Sequence, residues 1–215
     1  RQYLLLEKSL SSNTLDAYIE DSDKLLSFLD NEKIGIRDIT IDNLHSFAAA
    51  LCDIGISPRS QARIISGIKS FFRFLCLDGF ITSDPSELLE APKIGRHLPD
   101  VLTVNEIDSI IGAVDVSTPE GHRNRAMLET LYSCGLRVSE LCGLRMADLY
   151  LDEGFIRVTG KGNKERLVPI SKRAIHEIEL YLQERCHINI RPGHNIFLFL
   201  STRRGSSMSR ITVFD

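Results

Sequence analysis

The sequence lacks any run approaching the roughly 18 apolar residues that a membrane-crossing helix requires. A charged-then-apolar leader is missing from its start. Cysteine shows no ligand or disulfide spacing: Cys52, Cys76, Cys134, Cys142 and Cys186 are scattered, odd in number and never form C-x-x-C. They read as reduced, buried thiols of a cytosolic protein. The six histidines are isolated, with no H-x-x-x-H pair, so no metal site and no cofactor is expected. A large excess of one sign of charge is lacking too, with 26 Lys and Arg against 29 Asp and Glu and a net of −3. That excludes a wholesale nucleic-acid coat but not a local contact, because the distribution of charge sets the field at a binding face. No internal repeat or low-complexity stretch is present.

What is there divides in two. The length of 215 residues fits one large or two small domains. Residues 1–91 read as all helix. Ser11, Ser12 and Asn13 offer caps, and Leu15, Tyr18, Ile19, Leu25, Leu26 and Leu29 follow as one apolar stripe. Thr40 caps a second helix with Leu44, Phe47, Ala48 and Leu51 inward, stopped by Gly55. Ser57-Pro58 opens a third, closed by Gly79, and Asp84-Pro85 a short fourth. Residues 92–100, PKIGRHLPD, read as a linker. In 101–215, Thr103 and Glu106 form a capping box, with Ile107, Ile110, Ile111 and Val114 inward. A helix over 119–134 follows, with Met127, Leu128, Leu131 and Tyr132 on its apolar side. The period then shortens, predicting antiparallel strands at 149–151, 155–159 and 166–170. Ser171 caps another helix and Ser209 a last one. The sequence begins at Arg1 rather than Met and ends within a helical pattern, so the expectation is that the native chain is longer.

The third helix is the informative one of the first half. Stepped at roughly 100° per residue, Ile64, Ile65, Ile68, Phe71, Phe72 and Leu75 share one side. Arg59, Arg63, Ser66, Ser70 and Arg73 take the other, with Lys69 at its edge and no acidic residue before Asp78. A face of that composition suits phosphates or a major groove; the alternative is a plain basic surface. The first helix carries Asp16, Glu20, Asp23 and Asp30, which repel a duplex. Only its tip, with Asn13 and Thr14, is suited to meet phosphate through helix N–H groups, and an ordinary cap explains it equally well.

In the second half, GLRVSELCGL (135–144) puts Arg137 just past a helix end, and GKGNKERLVP (160–169) puts Lys161 in a glycine-rich turn between strands. Brought together, they would make a cationic pocket for one phosphodiester. Phosphodiester exchange passes through a crowded, highly charged phosphorus, which fixed cations stabilise. A guanidinium grips two non-bridging oxygens and stays charged, and a lysine with a lowered pKa can protonate the leaving oxygen. By residue type alone, Arg137 also reads as a surface arginine, with Arg145 as rival, and Lys164 rivals Lys161. Gly160 and Gly162 are expected to supply positive-φ freedom and close backbone approach.

Four passages carry a resemblance: SSNTLDAYIEDSDKLLSFL, RSQARIISGIKSFFRFL, RNRAMLETLYSCGLRVSELCGLRMADL and IRVTGKGNKERLVPIS. Together they cover most of the chain, and it resembles the tyrosine site-specific recombinases, within them the bacterial Xer group. The resemblance implies a mostly α fold. Its parts would be an all-helical, four-helix, SAM-like core-binding domain over 1–91 and, over 101–215, part of a mixed α/β catalytic domain with a small three-stranded antiparallel sheet. It implies DNA cleavage by a tyrosine through a 3′-phosphotyrosyl link, with neither metal nor nucleotide. The partners implied are duplex DNA at a specific site, further protomers in a tetramer on two duplexes and a DNA translocase as activator. The setting implied is the cytoplasm, with no membrane.

Carried over by position, Arg137 is the catalytic arginine, Lys161 the hairpin lysine and Glu140 the acid that orients its neighbours. Arg63 and Lys69 match the DNA-contacting helix; Arg59, Arg73, Asn13, Thr14, Lys164 and Arg166 are further expected contacts. The family's His-x-x-Arg block and tyrosine nucleophile have no counterpart here. Tyr3, Tyr18, Tyr132, Tyr150 and Tyr181 lie outside that context, so this stretch is expected to bind DNA without cutting it. The competing expectations are an integrase of a mobile element or phage, a non-catalytic DNA-binding protein and a helical interaction module.

Overall fold

The computed structural model describes residue 3 and residues 12–95, 98 and 100–214, apart from the side chains of Ser12, Lys161 and Phe214. The expected cap at Ser11 and linker positions 96, 97 and 99 lie outside the described residues. The chain forms two compact units, 1–99 and 100–215.

The first unit is built on three long helices, α1 (Ser12–Glu32), α2 (Ile41–Asp53) and α3 (Pro58–Leu77). Their ends follow from cap chemistry. Thr40 accepts the Asn43 N–H and Asn43 returns the bond to the Thr40 N–H; Ser57 caps α3 with Pro58 in its first turn. Gly55 and Gly79 stop α2 and α3 in the left-handed region. The core joins Leu25, Leu29, Leu44, Phe47, Ile64, Ile68 and Phe72. Leu26, expected in the buried stripe of α1, is instead exposed. The helix expected from Asp84-Pro85 is replaced by turns over 85–88. The Asp84 carboxylate accepts from the Ser86 N–H (2.8 Å) and hydroxyl (2.6 Å), a local bond that competes with helix, and Leu89 then drops into the core.

The second unit opens with α4 (Val104–Gly112) and α5 (Pro119–Cys134), followed by α6 (Val138–Gly143) and a 3-10 turn at Met146–Asp148. Strands β1 (Leu149–Tyr150), β2 (Phe155–Thr159) and β3 (Glu165–Pro169) form one antiparallel sheet in that order, with Ile156 opposite Leu149 and Val168. A second 3-10 turn, Lys161–Asn163, joins β2 to β3. Helices α7 (Lys172–Arg185) and α8 (Arg210–Phe214) follow. The core gathers Ala126, Met127, Leu141, Ile156, Val158, Ile178, Tyr181, Leu198 and Phe199.

Two expected core residues are outside it. Ile110 is exposed because the burial of the short α4 falls on Ile111. Tyr132 is exposed because it lies about 200° round α5 from both Thr130 and Cys134, which are buried. The sheet follows α6 after the 3-10 turn, and the hairpin β2–β3 returns beside that helix, whose N-cap is Arg137.

Candidate active site

Helix α5 ends at Gly135, whose left-handed backbone (φ 58°, ψ 39°) turns the chain sharply. Leu136 dips into the core and Arg137 emerges extended at the start of α6 (φ −74°, ψ 150°). One turn on, Glu140 is buried, its side chain 3% exposed. Its Oε2 accepts the Arg137 backbone N–H at 2.9 Å and its Oε1 accepts Arg137 Nη1 at 2.9 Å. From β3, Arg166 adds Nη1 on Oε1 and Nη2 on Oε2, both at 2.9 Å, a two-pronged grip across 26 positions of chain. The Arg166 guanidinium, helped by the Arg137 N–H and guanidinium, holds the Glu140 carboxyl at about 2 although burial pushes the other way. It is ionised throughout the neutral range.

Gly160 brings the hairpin into this cluster. A Cβ built there would stand 3.0 Å from Arg166 Nη1 and 3.2 Å from Glu140 Oε1. The backbone just before Lys161 therefore abuts the carboxylate that holds Arg137. The expectation for Gly160 needs correction: its φ is −99°, so the position demands space rather than left-handed freedom. Gly162 (φ 75°) and Asn163 (φ 58°) take the left-handed positions of the turn. The side chain of Lys161 lies outside the described residues; its backbone opens the turn. Lys164 is exposed just after it.

Beside the cluster, a cavity of about 330 Å³ is lined by Glu140, Arg145, Asp148, Arg157, Thr159, Asn163 and Glu165. Arg157 is pinned to Asp148 at 2.8 Å, while Arg145 is exposed at the rim. Arg166, expected on phosphate, has both terminal nitrogens on the buried Glu140 carboxylate. Among the described residues, no three or more His, Cys, Asp and Glu side chains gather as a metal would require. Tyr181 is fully buried, its hydroxyl accepting the Leu200 N–H at 3.0 Å, and burial raises its pKa.

In the first unit, Arg59 and Arg73 are exposed on α3, as predicted from the helical period. Arg63 is only 44% exposed at its side chain and donates Nη1 to Asp21 of α1. Lys69 donates to the Glu87 carbonyl at 3.2 Å. Asn13 is exposed and Thr14 half-buried at the start of α1. Asp21 was missed by the sequence reading: its side chain is fully buried against Gly67, where an added Cβ would meet its Oδ2 at 3.1 Å. Its place between Tyr18 and Leu25, at helical spacing, is the signal that marks it as inward. Arg210 was missed as well. It opens α8 near Cys142, where its charge opposes the upward push of burial on that thiol.

The chain has relatives among known proteins. Residues 100–215 match the phage integrase family and residues 1–79 the phage integrase N-terminal SAM-like domain. Tyrosine recombinase XerD of Listeria innocua is 40% identical over 211 residues, 97% of this chain and 71% of its own length. The chain belongs to the phage integrase family, the tyrosine recombinases. Tyrosine recombinase XerD of Pseudomonas aeruginosa is similar to this recombinase at 38% identity, over 97% of the chain and 70% of the relative. The fold recurs in a lambda integrase dimer bound to a COC′ core site: TM-score 0.74, 22% identity, 98% of this recombinase and 57% of the integrase covered. The mostly α fold with a SAM-like domain and a small antiparallel sheet is the fold of the family.

Proposed function

We propose that this recombinase binds duplex DNA at a specific site and exchanges strands through a covalent 3′-phosphotyrosyl intermediate. The observation that carries the proposal is the cluster at Glu140. One buried carboxylate fixes an exposed guanidinium, Arg137, 71% exposed at its side chain, and abuts the hairpin backbone that bears Lys161. A guanidinium presented that way can close on two non-bridging oxygens of the scissile phosphate and stabilise the charge that develops there. Lys161 supplies the proton for the leaving 5′-oxygen. Glu140 positions Arg137; with its carboxyl held at about 2 it has no proton to donate near neutral pH and is a weak base. Arg59, Arg63, Lys69 and Arg73 on α3, the start of α1 at Asn13 and Thr14, and Lys164 contact the duplex. None of the five tyrosines of this sequence is assigned as nucleophile.

The similarity to XerD relatives favours a housekeeping role, resolving joined chromosomes in a bacterial cytoplasm with other recombinase protomers, over integration of a mobile element. The test is covalent capture. Full-length protein is incubated with a nicked duplex of its site and run on a denaturing gel. A protein–DNA band is expected, and it should vanish in Arg137→Ala while duplex binding persists. Binding without a band in the wild type would instead fit a non-catalytic DNA-binding protein.

A further inference from the structure

Glu140 presents a problem to the arginine it holds. A carboxylate at hydrogen-bond distance from one guanidinium cancels that cation's charge, and the cancellation is strong where water is excluded. Arg137 paired alone with a buried Glu140 would form a neutral couple, poorly suited to hold a phosphate whose negative charge grows during reaction. The structure contains a second cation in the same contact. Arg166 gives Glu140 two bonds at 2.9 Å, one to each oxygen, whereas Arg137 gives it one side-chain bond. One carboxylate thus faces two guanidiniums, leaving a surplus of one positive charge. Arg137 is the more exposed of the two, 71% against 41% at the side chain. Gly160 keeps the slot open, because a Cβ there would crowd Arg166 Nη1 at 3.0 Å.

We propose that Arg166 is a positioning residue that takes up the charge of Glu140, so that Arg137 meets the scissile phosphate as an uncancelled cation. This rests on the proposed function above. It also gives Arg166 a role distinct from the phosphate contact its place in the hairpin would imply. Loss of Arg166 should therefore act through Glu140, and neutralising Glu140 should relieve it.

The experiment measures single-turnover covalent attachment of the full-length recombinase to a nicked duplex, alongside duplex affinity, for wild type, Arg166→Met, Glu140→Gln and the double variant. Arg166→Met should slow attachment by about tenfold to a hundredfold, with duplex affinity kept. The double variant should be faster than Arg166→Met by about tenfold, because a glutamine no longer cancels Arg137. Attachment by Arg166→Met at the wild-type rate overturns the inference. So does a double variant no faster than Arg166→Met, which would reduce Arg166 to packing. If a thermal melt shows Arg166→Met unfolded, Arg166→Lys decides: retained charge should keep it within about tenfold of wild type, and a loss as deep as that of Arg137→Ala overturns the inference. A wild type that attaches to no DNA overturns the recombinase reading itself, and is told apart by the missing reference band.

Discussion

Two buried carboxylates, one in each unit, hold arginines in opposite ways. Asp21, fully buried in α1, faces one guanidinium, Arg63, with Lys24 more distant at 3.8 Å. Among the described residues its Oδ1 finds no hydrogen-bond partner, and burial raises its pKa against the pull of Arg63. Glu140 receives four bonds from two arginines, and its carboxyl falls to about 2. Burial alone does not decide whether a carboxylate is held ionised; the number of donors that reach it does. The first pair anchors α3 to α1 and leaves Arg63 part of its reach. The second leaves a surplus of positive charge beside Arg137, where the proposed function places the phosphate.

The largest effect expected from breaking the second arrangement is at Arg137. Arg137→Ala should cut covalent attachment by roughly 10²–10³ in single-turnover assays on nicked duplex, with affinity retained. Next is Gly160→Ala, which pushes a methyl at Arg166 Nη1 and Glu140 Oε1. It should cost about 1–3 kcal/mol in urea unfolding and slow attachment; an unchanged midpoint would mean that the slot is roomy. Arg63→Ala probes the first arrangement. It should make the logarithmic salt dependence of duplex binding shallower by about one, and cost about 1–3 kcal/mol of stability by leaving Asp21 without its partner.

The smallest effect is in acid and separates the two carboxylates by sign. The folded pKa of Glu140 is depressed from 4.5 to about 2, so its contribution is present above pH 4.5 and is lost as pH falls toward 2. The folded pKa of Asp21 is raised, so its contribution is largest below its unfolded value of 3.8 and declines as pH rises through the folded value. Urea unfolding followed from neutral pH into acid should show a flatter acid loss in Glu140→Gln and a steeper one in Asp21→Asn.

The frame of the fold was legible because it rests on local chemistry. The Thr40, Ser57 and Thr103 caps, the left-handed Gly135 and the alternation of 155–159 all act within a few residues. The same locality explains the misses. At Asp84, a side-chain bond two residues on displaces a helix that the following proline favours. Asp21 hid inside a helix read as acidic outside: its spacing from Tyr18 and Leu25 points inward, but a carboxylate is placed there by the Arg63 and Gly67 of another helix. The candidate site was legible as two motifs but not as a unit. Arg137 and Glu140 lie on one helical turn, whereas the grip of Arg166 depends on how the hairpin returns past α6. Gly160 looked like a turn glycine, and only the packed structure shows a steric reason for it.

The most direct measurement is a crystal structure of the full-length recombinase on its nicked duplex. The expected result is the Arg137 guanidinium within about 3 Å of two non-bridging oxygens of the scissile phosphate, with Arg166 still on both oxygens of Glu140 and Lys161 beside the leaving oxygen. A duplex seated elsewhere, with Arg137 turned to solvent and the Glu140 cluster remote from any phosphate, would contradict the account.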